Sequence, residues 1–140
     1  MTKKVCTQFS NKAAGTQYEQ EFCQLLSRNG FWAHNLQDNK NGQPFDIIAA
    51  KNNLVYPIDC KDCQGMTFSF SRVEENQRYA MDLWAECGNG DGYFAVRFGN
   101  GEQWLLYYSA IKHLESRGIR QLSIYNADAA GFRIGEELTI

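Results

Sequence analysis

Two aspartates and a lysine occupy positions at which a β-hairpin would bring them together. Asp46 lies in one strand-like run, Asp59 and Lys61 lie in the next, and Asn52-Asn53 stands between the two runs. Because asparagine tolerates positive φ, this pair favours a two-residue hairpin turn. The resulting register places Asp46 directly opposite Asp59 at a Cβ separation of about 4.5–5.5 Å. Lys61, two residues farther along the strand, shares their face.

Two carboxylates in direct opposition repel each other, and a cation between them would make the pair favourable. Carboxylate oxygens, together with a backbone carbonyl, suit Mg²⁺ or Mn²⁺, which prefer octahedral oxygen coordination and retain several waters. A lysine beside such an ion can orient a water molecule or stabilise charge on a phosphoryl group. An exposed hairpin in which Lys61 simply pairs with an aspartate explains the same pattern equally well, so these residues alone leave both readings open.

The opposite face of this hairpin is apolar. It pairs Ile47 with Ile58 and Phe45 with Cys60, so we predict that this face lies in the core. Pro57 lies within the second strand, and a proline without an N–H is typical of an edge or a bulge. A bulge there would shift the pairing by about one residue.

Hydrophobic periodicity places the hairpin within a larger order of elements. A helix is predicted over 14–29, because apolar residues recur at helical spacing before Gly30. A second helix is predicted to begin after Ser71, where Ser71-Arg72-Val73-Glu74 has the form of a capping box, and to end at Gly88. We predict a short helix over 109–117 and strands over 31–36, 45–50, 54–61, 92–98, 103–108 and 122–125. This order predicts an α/β fold with a central mixed β-sheet flanked by helices.

The composition is that of one globular domain. The chain has 140 residues, of which 44% are hydrophobic and 21% charged, so disorder, collagen and coiled coil are not expected. We predict a single domain over 1–140, with a polar basic arm over 1–13 and a polar tail over 126–140. No run approaches about 18 apolar residues and the start is polar, so neither a membrane span nor a signal peptide is expected. The five cysteines favour free thiols in a reducing cytoplasm.

The order of these residues resembles the PD-(D/E)xK nuclease superfamily. Pro44-Phe45-Asp46, twelve further residues and then Asp59-Cys60-Lys61 are similar to its signature, although many members have Pro-Asp without an intervening residue. Upstream, Gly15-Thr16-Gln17-Tyr18-Glu19-Gln20-Glu21-Phe22, then Leu25-Leu26 and Asn29-Gly30-Phe31, resembles the opening of the archaeal-type Holliday junction resolvases. The resemblance implies a single restriction-endonuclease-like domain.

The resemblance also implies a role for each matching residue. The implied catalytic set is Glu19, Asp46, Asp59, Lys61 and Gln77. Its three acids are implied metal ligands, directly or through water, and the backbone carbonyl of Cys60 would complete the metal shell. Lys61 would stabilise charge or position the nucleophile, and Gln77 matches a glutamine that related nucleases place on the helix after the lysine strand. Glu21 lies on another face of the first helix and is expected to face solvent.

The implied activity is hydrolysis of DNA phosphodiesters by a Mg²⁺- or Mn²⁺-dependent endodeoxyribonuclease of the crossover-junction type. Such an enzyme is expected to be a homodimer, because a four-way junction needs two symmetric cuts. Two alternatives keep the fold: a restriction- or repair-type nuclease on duplex DNA, and a catalytically silent nucleic-acid-binding module. A thiol redox or zinc protein is a further alternative, because Cys60 and Cys63 form a Cys-x-x-Cys motif. The expected location is the cytoplasm, or the host cytoplasm if a phage encodes the protein.

The net charge of −2, taken alone, argues against a nucleic-acid partner. The three implied metal ligands supply −3 of it, so the rest of the chain carries +1, and one bound divalent ion brings the total to 0. We therefore expect DNA binding to depend on divalent metal and to be weak in a chelator. The basic residues that could contact phosphates are Lys3, Lys4, Lys12, Lys40, Arg72 and Arg78.

Overall fold

The computed structural model of the chain describes residues 11–36, 43–135 and 138, with side chains from residue 16 onward. Within these ranges there are three α-helices: α1 (Asn11–Arg28), α2 (Glu75–Glu86) and α3 (Tyr108–Ser116). There are also eight strands: β1 (Trp32–Asn35), β2 (Ile47–Lys51), β3 (Leu54–Asp62), β4 (Thr67–Ser69), β5 (Tyr93–Arg97), β6 (Gln103–Tyr107), β7 (Gln121–Ser123) and β8 (Gly131–Ile134). Short 3-10 helices cover 70–72 and 124–129. Of the helices described, none combines the length and the apolar character needed to cross a membrane.

One mixed sheet organises the structure. Its six strands lie in the order β1-β2-β3-β5-β6-β8, and neighbours are antiparallel except for β3 and β5, which are parallel. The long strand β3 therefore lies inside the sheet, between β2 and β5. Strands β4 and β7 form a separate two-stranded sheet. The predicted central mixed sheet flanked by helices is confirmed.

Both faces of the sheet are covered by apolar side chains. On one face α1 packs a buried stripe that includes Phe22 and Leu26, at the helical spacing that the sequence predicts. On the other face α2 and α3 contribute Met81 and Ile111 to a second core around Phe94. Because burial of one such side chain contributes about 1.5–3 kcal/mol, these two cores hold the helices in fixed positions over the strands.

The β2–β3 hairpin forms as the sequence predicts. Asn52 and Asn53 have φ values of 53° and 68°, in the left-handed region that asparagine tolerates. The register pairs Ile47 with Ile58 and Ile48 with Pro57, as predicted for a turn at the two asparagines. Pro57 therefore does not shift the pairing, even though it lies in an interior strand.

Regular pairing of β2 with β3 ends at Ile47, so Asp46, the preceding residue in the chain, lies just outside the paired ladder. The Asp46 N–H donates instead to the Ile58 carbonyl at 3.1 Å. The strict alternation of faces stops at this point, so the prediction that Phe45 shares the face of Ile47 and Cys60 is wrong. Phe45 is buried in the core beneath α2 and α3. The departure from pairing matters for Asp46, because its carboxylate lies at the end of the ladder.

Helix α2 begins later than predicted. Val73 is extended, with φ −80° and ψ 106°, so the helix does not continue back to Ser71. Glu74 is the N-cap, and its N–H donates to Gln77 Oε1 at 3.0 Å. Two overlapping segments have the form of a capping box, Ser71 to Glu74 and Glu74 to Gln77, and the helix begins at the second one. The helix ends before Gly88, whose φ of 84° terminates it as predicted.

The segment predicted to be a polar tail contains a strand instead. Strand β8 pairs with β6 at the edge of the main sheet. A Cβ on Gly131 would lie 1.9 Å from Leu105 O, so the strands approach closely because Gly131 has no side chain. The strand is short and its Arg133 is exposed, which is why no alternating pattern marked it in the sequence. The short strand β4 was missed for the same reason.

Candidate active site

Four polar side chains are buried in the described part of the chain, and they converge on one place. Asp46, Asp59, Lys61 and Gln77 are exposed by only 7%, 1%, 7% and 6%. All four belong to the catalytic set that the sequence implies. Burial of charged groups is costly unless they are paired, and perturbed acids gather at functional sites. This cluster is therefore the candidate active site.

Strand β3 and the first turn of α2 position three of these side chains. Asp59 and Lys61 pair with Phe94 and Val96 of β5, which belong to the core beneath α2 and α3. The two charged side chains therefore point toward α2, while Cys60 between them points toward α1. Gln77 lies in the first turn of α2, where its side chain reaches down to Lys61.

The fourth side chain, Asp46, is held from two directions at the end of β2. Gln43 Nε2 donates to Asp46 Oδ1 at 2.6 Å, and the Cys60 N–H donates to Oδ2 at 2.8 Å. Because backbone pairing has ended, the Cys60 N–H bonds this carboxylate instead of a strand carbonyl. Asp46 and Asp59 are thus not a regular cross-strand pair, yet the Asp46 carboxylate lies close enough to act on Asp59 by charge and by side-chain contact.

Lys61 joins the two halves of the site. Its Nζ lies 2.9 Å from Asp59 Oδ2 and donates to Gln77 Oε1 at 3.1 Å. The Asp59 contact is an ion pair by distance, but neither Asp59 oxygen has a partner with hydrogen-bond geometry. Burial raises the pKa of the Asp59 carboxyl well above its usual range, the Asp46 carboxylate raises it further, and the Lys61 ammonium lowers it.

The donor set at this place fits a divalent cation. Both Asp59 oxygens are buried without hydrogen-bond partners, and the Asp46 carboxylate lies beside them. In an extended strand the N–H and C=O of one residue point to the same side of the strand. The Cys60 carbonyl is therefore expected on the β2 side, where its N–H donates to Asp46. Carboxylate and carbonyl oxygens are the ligands that Mg²⁺ and Mn²⁺ prefer.

The structure does not bring Glu19 into this group. Among the described residues, no three acidic, histidine or cysteine side chains lie close enough together to hold one metal ion. Glu19 lies on α1, which covers the opposite face of the sheet, and is partly buried. Burial raises the pKa of the Cys60 thiol, and the charges of Asp46, Asp59 and Glu19 raise it further. The Glu19 carboxylate therefore acts electrostatically on Cys60, at the edge of the site. Its role as a metal ligand stays a prediction.

The structure describes the side chains of only some of the residues that are predicted to contact phosphates. Lys3, Lys4 and Lys40, and the side chain of Lys12, lie outside the described residues. Arg72 is exposed near the end of β3, where its Nη1 donates to Asp62 O at 3.1 Å and to Cys63 Sγ at 3.4 Å.

The guanidinium of Arg78 is bound by protein groups, and its role in phosphate contact stays a prediction. Its Nη1 and Nη2 each donate to the Glu115 carboxylate at 2.8 Å. Nη2 also donates to Phe70 O, and Nε donates to Val73 O. This guanidinium therefore ties α2 to α3 and to the turn before it. This contact was not predicted, because Glu115 lies on another helix and no fixed spacing joins it to Arg78.

Sequence reasoning missed two features beside the site. The first is Gln43, whose contact with Asp46 crosses a loop that has no fixed spacing. The second is Arg97, which makes a bidentate contact with Asp62 at 3.0 Å and a further bond to Glu21 at 3.0 Å. Glu21 is exposed, as predicted, but this pairing ties α1 to the strand end beside Lys61.

The Cys-x-x-Cys pair does not form a redox or zinc centre within the described residues. Cys23, Cys60, Cys63 and Cys87 are free thiols. Cys60 and Cys63 are buried in different cores, on opposite faces of the sheet. No cluster of zinc-type ligands is present among the residues that the structure describes.

Comparison with known proteins identifies one matching family model and a solved structure with a similar fold. The family model described as archaeal Holliday junction resolvase (Hjc) matches residues 10–138. Among curated proteins, no match was found. A solved structure of Hjc from Archaeoglobus fulgidus, described as a Holliday junction resolvase from an archaeal hyperthermophile, superposes with a TM-score of 0.65. That chain is 17% identical, and the alignment covers 87% of this chain and 98% of that one, so the two share a fold.

Proposed function

Since the chain belongs to the archaeal Holliday junction resolvase family, it is a junction-resolving endonuclease, and we propose that Asp46, Asp59, Lys61 and Gln77 form its active site. The observation that carries this assignment is the convergence of these side chains, which are the buried polar groups of the described chain. A buried cluster with two carboxylates and one lysine has no evident structural purpose, because an apolar replacement would pack at lower cost.

We propose Mg²⁺ or Mn²⁺ as the cofactor, held by Asp46, Asp59 and the Cys60 carbonyl. Such an ion supplies positive charge that stabilises the phosphoryl oxygens and activates water. Asp59 is suited to this role because its oxygens have no hydrogen-bond partner among the described residues and burial disfavours its ionised form. Glu19 is kept as an additional acid that acts through water, in line with the family resemblance.

Lys61 acts on the phosphate or on the attacking water. Its ammonium is fixed by two contacts, the ion pair with Asp59 and the bond to Gln77 Oε1. A cation that is held before the reaction stabilises developing charge without reorganisation, which is why such groups contribute strongly in buried sites. Gln77 is in turn held by the Glu74 N–H, so the helix terminus fixes the lysine.

DNA contacts outside the site are proposed for Arg72 and for the basic arm. Arg72 is exposed beside the strand that carries Asp59 and Lys61, and it retains N–H donors beyond its bonds to Asp62 and Cys63. A phosphate next to the scissile one would lie within reach of such a side chain. These contacts set register and affinity but read no sequence.

A homodimer is proposed because one active site cuts one strand, whereas resolution of a symmetric junction needs two cuts. The exposed apolar side chains of α2, Tyr79 and Leu83, are 70% and 46% exposed and form the surface that we assign to the second copy. Leu83→Asp should give a monomer by sedimentation velocity, whereas Leu54→Asp, at a more exposed leucine beside the hairpin turn, should not. An unchanged dimer in Leu83→Asp would move the interface elsewhere.

We also keep the prediction of a cytoplasmic location, which suits free thiols.

The activity is tested by cleavage of a labelled four-way junction with Mg²⁺. Lys61→Ala should lower the cleavage rate about 10²–10³-fold, the usual cost of losing one electrostatic stabiliser. Lys112→Ala, which removes an exposed lysine of α3, should cleave like the wild type. Equal rates for Lys61→Ala and the wild type would remove the assignment. The linear arms of the same junction, cleaved as fast as the junction, would favour the duplex-nuclease alternative.

A further inference from the structure

We propose that Gln43 is a positioning residue that orients the Asp46 carboxylate for metal binding, and that Asn76 holds Gln43 in place. The inference deepens the proposed function, because it assumes that Asp46 is a metal ligand. It concerns a residue that lies outside the nuclease signature and contacts the site from a loop.

The contact between Gln43 and Asp46 is short and has one sensible orientation. Gln43 Nε2 lies 2.6 Å from Asp46 Oδ1. The reverse amide orientation would place an oxygen against a carboxylate oxygen, so the amide nitrogen must face Asp46. Gln43 Oε1 is then buried and has no hydrogen-bond partner among the described residues.

This contact fixes one of the two Asp46 oxygens, and the backbone fixes the other. Oδ1 accepts from Gln43 Nε2, and Oδ2 accepts from the Cys60 N–H at 2.8 Å. A carboxylate offers about four lone-pair directions. The two donors occupy two of these directions on Asp46, and they thereby determine where the other two point. The plane of the carboxylate is therefore fixed before any cation binds, and a cation meets oxygens that are already oriented.

The first turn of α2 holds both halves of the site. Asn76 Nδ2 donates to the Gln43 carbonyl at 3.0 Å, and the adjacent Gln77 accepts from Lys61 at 3.1 Å. One residue of the helix thus supports the Asp46 side and the next supports the Lys61 side. Because the two supports are separate, the structure predicts that they control different steps.

Gln43 Oε1, which has no hydrogen-bond partner among the described residues, fits the proposed metal site as well. A buried amide oxygen without a donor is costly, and a water molecule bound near Asp46 would supply that donor. Groups that hold a metal ligand from behind commonly change metal affinity or activity about 10–100-fold when they are removed. Gln43 is expected to act through metal affinity, since it contacts a ligand and not the lysine.

The test measures Mn²⁺ binding by electron paramagnetic resonance, together with the Mg²⁺ dependence of junction cleavage. Gln43→Leu keeps the side-chain size and should bind Mn²⁺ about 10-fold more weakly, with cleavage restored toward the wild-type rate at high Mg²⁺. Asn76→Ala should weaken Mn²⁺ binding in the same direction. Gln121→Leu, a change at an exposed glutamine on β7, is the matched control and should bind Mn²⁺ like the wild type.

Gln77→Leu separates positioning from general disruption. It should lower the cleavage rate at saturating Mg²⁺ and leave Mn²⁺ affinity unchanged, because it contacts Lys61 and not a ligand. If Gln43→Leu and Asn76→Ala both bind Mn²⁺ as the wild type does, the inference is wrong while the proposed function stands. Wild-type protein that binds no Mn²⁺ would overturn the proposed function itself. If Gln43→Leu does not fold, Asn76→Ala decides the question, since its side chain is exposed.

Discussion

Replacing Lys61 with methionine isolates the electrostatic cost of the buried site, because methionine fills a similar volume without a charge. Lys61 Nζ lies 2.9 Å from Asp59 Oδ2, and the two side chains are 9% and 1% exposed. At that separation an effective dielectric constant of about 20 gives an attraction of about 6 kcal/mol, part of which offsets the dehydration of the two groups. Removing one partner of such a pair should lower the free energy of unfolding by about 3–5 kcal/mol at neutral pH.

The loss should depend on pH in a defined direction. Burial, and then the Asp46 carboxylate, raise the pKa of Asp59, while Lys61 lowers it, so removing Lys61 raises that pKa further. A carboxyl with a raised folded-state pKa binds its proton more tightly when folded. Its stabilising contribution is fully present below the unfolded pKa and is lost as pH rises through the folded pKa. The deficit of the variant against the wild type should therefore shrink as pH falls from the folded-state Asp59 pKa of the variant to that of the wild type, both of which lie above the ordinary aspartate pKa of about 4.

The assay is urea unfolding in a chelator at a series of pH values from 5 to 9, followed by circular dichroism. Lys112→Met is the matched control, because Lys112 Nζ lies 2.8 Å from Asp82 but its side chain is 51% exposed. A surface pair of this kind contributes about 0–1 kcal/mol. Asp59→Asn added to Lys61→Met should recover most of the loss. The reasoning is refuted if Lys61→Met loses no more stability than Lys112→Met, or if its deficit does not change with pH.

Four further outcomes are expected. Arg72→Ala should weaken junction binding and reduce the salt slope by about 1 in fluorescence anisotropy. Arg78→Ala should instead leave junction binding intact and cost about 1–3 kcal/mol of stability in urea, because its partner Glu115 loses two bonds. If Arg78→Ala weakened junction binding and Arg72→Ala lowered stability, the roles assigned to the two arginines would have to be exchanged. Gly131→Ala should cost at least about 1–3 kcal/mol in thermal unfolding, since its Cβ would meet Leu105 O, and an unchanged melting temperature would contradict the β8 pairing. Junction binding should be weaker in EDTA than in Ca²⁺, and equal affinities would contradict the charge argument.

The parts of the site that lie within one hairpin were predictable from the sequence. Asn52 and Asn53 tolerate positive φ, and the backbone alternates side chains with a period of two. These local rules place Asp59 and Lys61 on one face at a known distance from the turn. The family resemblance then assigned them a role, and it also selected Gln77, which the structure places against Lys61.

The same local rules failed where the chain leaves regular pairing. Phe45 was expected to share the face of Ile47, but the ladder ends at Asp46 and Phe45 enters the other core. The strand at 131–134 carried too little alternation to be recognised, and it forms because an open sheet edge accepts it. In both cases the deciding interaction comes from residues distant in sequence.

The sequence by itself determined the mixed α/β fold and the hairpin, because periodicity and turn preference act between near neighbours. It offered the candidate catalytic residues only through the family resemblance. Only the tertiary structure decided how those residues are held. It set Gln43 behind Asp46, paired Arg78 with Glu115, and left both Asp59 oxygens without a hydrogen-bond partner among the described residues. These contacts join separate elements, so they depend on how helices pack over the sheet, and packing is a property of the whole folded chain.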